Sequence, residues 1–269
     1  MNESQHPQRS LRAATRDVIT RVETTTGRPV LVQADPLLSV LATVKMARGV
    51  APAHLVRYKP GGNAPDYLIC FQCGFILRLF ANPPSQRFDF VGSRLGRARA
   101  IEVVSVQPQI QKLNLPTPSA RQYADQLFDG LMTQLRSVPI GLRVDAWLAT
   151  DYGELRELQQ AFAVRQLQDN QQVLTGDIRR LAVSPIYEAS IAMNSAFAAY
   201  WARAMDQPSF VMPYTATGVR AGAELLSIWD ATDPHPTHDR DLIEAWADKL
   251  GLRGWYEWVP YSLDTGATA

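Results

Sequence analysis

The stretch Pro65-Asp-Tyr-Leu-Ile-Cys-Phe-Gln-Cys-Gly-Phe-Ile-Leu-Arg-Leu-Phe80 constrains this chain more than any other. Pro65 suits a first helical position, where its missing N–H would have had no partner anyway. Asp66 is favourable at the positive end of the helix dipole. From Leu68 to Phe80 only Gln72 and Arg78 interrupt the apolar run. A helix so apolar around its circumference must be enclosed by other elements. It is too short for a bilayer, which takes roughly 20 apolar residues. The pattern therefore predicts a core helix over 65–81.

The 269 residues are enough for one large domain or two small ones, and a hydrophobic content of 46% supports a packed core. The formal net charge of +1 argues against a protein whose main work is neutralising phosphates, and gives no electrostatic membrane anchor. Lys45, Lys59, Lys112 and Lys249 are the only lysines among 27 basic residues, an arginine bias expected of a GC-rich bacterial genome. Residues 1–12 are polar, with no signal-peptide core, so the cytosol is the expected compartment. Two cysteines do not make a disulfide framework.

The first third mixes helices and strands. Ser10 is a candidate cap for a helix whose apolar residues Leu11, Ala14, Val18, Ile19 and Val22 follow helical spacing, ended by Gly27. Residues 30–33 and 54–58 read as strands. Asp35-Pro36 reads as a cap and first turn of a helix running to Ala47. Residues 59–64 are a turn, 82–89 a loop, and 88–111 stay ambiguous. Pro116-Thr-Pro-Ser119 precedes a helix to about Arg136. Beyond Val138 the pattern is helical, with helices near 151–173, 184–206, 214–229 and 238–250, an aromatic tail 254–261 that packs back, and frayed ends from 265. All six tryptophans follow residue 140. The expected fold is α+β and predominantly helical, with a small sheet in the N-terminal half. The expected halves are 1–137 and 138–269, the second packed on the first as one compact domain.

Strand, turn and apolar helix with a central Gly74 resemble the ImmA/IrrE-type zinc metallopeptidases over residues 11–135. Their signature helix reads like A-H-E-L-G-H-L-L, because residues four apart share a face and can hold one zinc. Here the same register reads Cys70-Phe-Gln-Cys-Gly-Phe-Ile-Leu77. A later E-A-N-x-F-A pattern, which supplies the third ligand, has its nearest match in Tyr123-Ala-Asp-Gln-Leu-Phe128. Phe71 and Phe75 cannot bind zinc, Gln72 is no base, and Tyr123 stands at the glutamate position. The resemblance implies a peptidase scaffold without its chemistry. The competing reading is a plain core helix with Phe71 and Phe75 as packing.

Other motifs carry less. Cys70-Phe-Gln-Cys73 lies mid-helix among apolar residues and reads as buried, inert thiols rather than a redox pair. His235-Pro-Thr-His238 could join Cys70 and Cys73 in a Cys₂His₂ zinc site, but its turn and helix-start setting explains it better. Gly92-Ser-Arg-Leu-Gly-Arg has neither the dinucleotide nor the Walker spacing. Arg87, Arg94, Arg97 and Arg99 form a candidate patch for an acidic protein surface, with nucleic acid as the lesser alternative. Asp151, Glu154 and Glu157 read as surface charge. No cofactor is expected. The expected role is a non-catalytic binding or regulatory protein in a larger assembly. An enzyme with an unlocated metal or thiol site, or a nucleic-acid accessory protein, are the alternatives.

Overall fold

The computed structural model describes residues 11–61, 65–112 and 116–261. Of this, 67% is helical and 10% strand, which is the expected mostly helical α+β class. Two compact units divide the chain: Met1–Asp89 with Arg143–Phe162 and Val259–Ala269, and Phe90–Leu142 with Ala163–Trp258.

The first unit begins with α1 (Ala13–Thr26), closed by Gly27 in the left-handed region at φ 68°. A three-stranded sheet follows: β1 (Val30–Ala34), β2 (Ala42–Lys45) and β3 (His54–Tyr58), in the order β1-β3-β2. β1 runs parallel to β3, pairing Val30 with His54, and β2 antiparallel, pairing Val44 with Val56. The helix expected from Asp35 to Ala47 is not formed. Asp35 caps only a turn, accepting from the Leu37 N–H at 3.0 Å and pairing with Arg57. Beyond it β-branched Thr43 and Val44 suit a strand that β3 completes. The 65–81 expectation is met by α2 (Pro65–Phe80). Val18, Val22, Val30, Val56, Ile69, Cys70, Cys73 and Ile76 form one core with Val144, Leu148 and Leu155. Gly74 is required here, because a Cβ would collide with the Val144 side chain.

The N-terminus of α1 is capped from a distance. Its N-cap residue, Arg12, supplies no side-chain capping bond. Asp66 accepts from the Arg12 N–H at 2.8 Å and the Thr15 hydroxyl at 2.6 Å, and Glu154 accepts from the Ala14 N–H at 2.6 Å. Two carboxylates thus satisfy donors that a helix start leaves open. Glu154 is therefore more than surface charge. Ser10, the expected cap, lies outside the described residues, as does the tail from 265.

The ambiguous stretch 88–111 becomes β4 (Phe88–Gly92), α3 (Arg94–Ser105) and α4 (Pro108–Gln111). β4 pairs with β5 (Tyr256–Pro260), so the aromatic tail is a strand. The helix expected to stop near Arg136 continues as α5 (Thr117–Asp151), straight through Pro139. Proline inside a helix costs about 3 kcal/mol. Buried Leu131, Leu135, Val144 and Leu148 on either side outweigh it, and the Pro139 carbonyl accepts from the Trp229 indole at 3.1 Å. The division expected at 137/138 falls inside this helix, whose residues join the first unit only from 143.

The rest of the second unit is α6 (Arg156–Gln171, from 163), the short α7 (Gly176–Leu181), α8 (Ile186–Ala204), α9 (Ala216–Ala231) and α10 (Asp239–Lys249). α8, apolar on most sides, is central as expected. α9 meets it through Gly222, where a Cβ would lie 2.7 Å from Ser195 Cβ and from the Ala196 nitrogen.

Candidate functional site

α2 divides its residues between two environments. Ile69, Cys70, Cys73 and Ile76 are fully enclosed. Phe71, Gln72 and Phe75 are half-buried on another face. Phe71 and Phe75 stack edge-on at 5.3 Å, and Tyr67 leans on Phe71 at 5.7 Å. The Gln72 amide reaches the Ala42 carbonyl of β2 at 3.5 Å. β2 is an edge strand, with β3 as its partner on one side and no strand on the other among the described residues. An edge strand offers unpaired backbone groups to an added chain. Tyr123 belongs to the second unit, where its hydroxyl donates to the Leu181 carbonyl at 3.3 Å.

Both thiols are free and fully buried. Burial pushes Cys70 up to about 12, against a hydrogen bond with Thr15 that favours the thiolate. Burial pushes Cys73 up further. His235 is taken up by Thr237 at 2.8 Å and His238 by Asp241 at 3.1 Å. Among the described residues no three His, Cys, Asp or Glu side chains gather where they could hold a metal ion, so Cys70, Cys73, His235 and His238 are not brought together as a zinc site.

The four arginines do not make one free patch. Arg87 lies 4.4 Å over the Phe80 ring and donates to the Asn82 carbonyl at 2.8 Å, within the first unit. Arg97, in the second, is held by Asp125 at 2.8 Å and Asp129 at 2.6 Å and covers Phe128. Those two carboxylates raise its pKa. Only Arg94 and Arg99 of the four are exposed. Arg87 belongs to the first unit and Arg94, Arg97 and Arg99 to the second, and Arg87 and Arg97 each find a partner within their own unit.

Two buried titratable residues of the first unit escaped the sequence reading. Asp145 is 2% exposed, and its Oδ1 accepts from the Tyr67 hydroxyl at 2.8 Å and the Gln159 amide at 2.9 Å. Burial raises its pKa to about 7, opposed by the bonds from Gln159 and Tyr67. His54 is fully buried, its Nδ1 accepts from the Ala47 N–H at 3.1 Å, and its Nε2 has no hydrogen-bond partner. Burial, then the Arg28 charge, lowers its pKa to about 4. Asp145 had a legible signal: it continues the spacing of Leu142 and Leu148 on the apolar stripe of α5. No protein-family model, curated protein or solved structure matches this chain.

Proposed function

We propose that this protein binds a polypeptide rather than cutting one, as a non-catalytic regulatory subunit on a degenerate metallopeptidase-like scaffold in the bacterial cytosol. The observation that carries this is the α2 face beside the free edge of β2. Phe71, Gln72 and Phe75 stand where two zinc ligands and a general base would be needed. An aromatic pair cannot hold the metal and an amide cannot take the proton. The same face is suited to capture. β2 can add an extended segment through backbone hydrogen bonds, and half-buried Phe71 and Phe75 can seat its apolar side chains. The order α1-β1-β2-β3-α2 supports the scaffold. The partner is therefore a protein with an accessible extended segment. A nucleic-acid role loses ground because Arg87 and Arg97 are already engaged.

The test places a photo-crosslinking phenylalanine analogue at Phe75 or Lys45, with exposed Met212 as the control position. A discrete cross-linked protein at Phe75 and Lys45, absent at Met212, is expected. Stoichiometric zinc with peptide hydrolysis by the purified protein would overturn the reading.

A further inference from the structure

Asp145 lies in the segment Arg143–Phe162, a helical hairpin made of the end of α5, a short turn and the start of α6. Gln159 ties its two arms together, donating to both the Asp145 carbonyl at 2.8 Å and its carboxyl at 2.9 Å. Tyr67 ties the same carboxyl to α2, and its ring packs on Phe162 at 5.1 Å. One carboxyl oxygen is thus the polar junction of α2, α5 and α6.

Both of its donors are neutral. Asp66 on α2 and Glu154 in the turn are taken up by α1. Arg156 and Glu157 at the start of α6 are exposed. Arg143, two residues back on α5, projects from nearly the opposite side of the helix. The acidity of Asp145 is set by burial, against the bonds from Gln159 and Tyr67. An ionised carboxylate enclosed without a cation is costly, whereas the neutral acid accepts the same two bonds.

We propose that Asp145 is a protonation latch: its neutral carboxyl holds the 143–162 hairpin on α2, and its ionisation loosens the hairpin. The direction follows from linkage. The closed hairpin keeps the proton to higher pH than the open one, so opening gains as pH rises until the closed form also ionises near neutrality.

Hydrogen exchange resolved by segment tests this on the whole protein. After correction for intrinsic exchange, protection of 143–162 should fall up to tenfold per pH unit between pH 5 and 7, then level off. Protection of α8 and α9 should not follow it. Asp145→Asn should abolish the pH dependence. Tyr67→Phe should keep it and move the plateau to higher pH, because the hydroxyl bond favours the ionised form. Should Asp145→Asn fail to fold, the wild-type profile and Tyr67→Phe decide. A pH-independent hairpin in the wild type, or an unchanged slope in Asp145→Asn, would overturn the latch.

Discussion

The cores of the two units solve the enclosure problem differently. The first buries Thr15, His54, Arg143, Asp145 and Gln159 among its aliphatic residues, with two thiols beside them. Among the described residues the second buries only Asn194 and Ser195 of comparable polarity, and it closes through glycine and alanine at the α8–α9 crossing. Buried titratable groups make stability a function of pH. A crossing set by missing side chains makes it a function of volume. The first core should therefore respond to protons and the second to methyl groups.

The largest expected effect is steric. Gly222→Ala adds a methyl 2.7 Å from the Ser195 and Ala196 backbone atoms, which cannot rotate away. Alanine is the better helix former by about 1 kcal/mol, yet overpacking against backbone should outweigh that and cost about 3 kcal/mol net. Gly218→Ala meets side-chain atoms rather than backbone, the nearest being the Ile191 Cγ2 methyl at 3.0 Å, and should cost much less than Gly222→Ala. Urea unfolding followed by tryptophan fluorescence reads both. Equal tolerance of the two substitutions would remove the steric half of the comparison.

The proton half has two members of opposite sign. Asp145 has a raised folded pKa, so its contribution to stability declines from about pH 4 to about pH 7. His54 has a lowered one, so its contribution is complete above about pH 6.5 and is lost as pH falls towards about 4. Each proton is worth about 1.4 kcal/mol per pH unit across its window. Relative to wild type, Asp145→Asn should steepen the rise of stability with pH. His54→Leu should tilt it the other way between about pH 4 and 6.5. Segment-resolved exchange should place both changes in the first unit. Two variants with parallel pH profiles would contradict the assignment.

Much of this contrast was hidden in the sequence. Elements set by local pattern were legible: β3, α2, and the helices around residues 186–204, 216–231 and 239–249 begin and end close to where spacing and caps put them. Elements decided by distant partners were not. Asp35-Pro36 looks like a helix start until β3 claims the residues beyond it, and Pro139 looks like a stop until packing on both sides carries the helix through. Asp66 was read as serving its own helix, whereas it also caps α1. The candidate site was half legible. Phe71, Gln72 and Phe75 do share a half-buried region of α2 beside β2, but Tyr123 belongs to the other unit. The glycine that set the motif register has a packing reason of its own in Val144.

The thiols test whether the first core keeps its buried groups from reagents. Cys70 and Cys73 have no exposed surface. Native protein should resist thiol reagents and label only as fast as it unfolds. Replacing both with alanine should cost on the order of 1–2 kcal/mol through lost apolar contacts. Rapid labelling without denaturant would mean that α2 opens far more easily than its neighbours.

Arg97 offers the smallest effect and the cleanest separation of surface charge from core titration. Its guanidinium bridges Asp125 and Asp129 in the second unit, but the three side chains are 40%, 34% and 60% exposed. Solvent screens such a network, so Arg97→Ala should cost at most about 1 kcal/mol, part of it the cover over Phe128. The loss should shrink at high salt, where exposed charges are screened within a few ångströms. It should stay constant between pH 6 and 8, where the guanidinium, its pKa raised by its two partners, keeps its charge. Arg94→Glu, exposed and outside the network, serves as the control within about 0.5 kcal/mol of wild type. A pH-dependent loss for Arg97→Ala in that window would show that the second unit also contains a group that titrates near neutrality, and the division between a proton-sensitive core and a volume-sensitive one would fail.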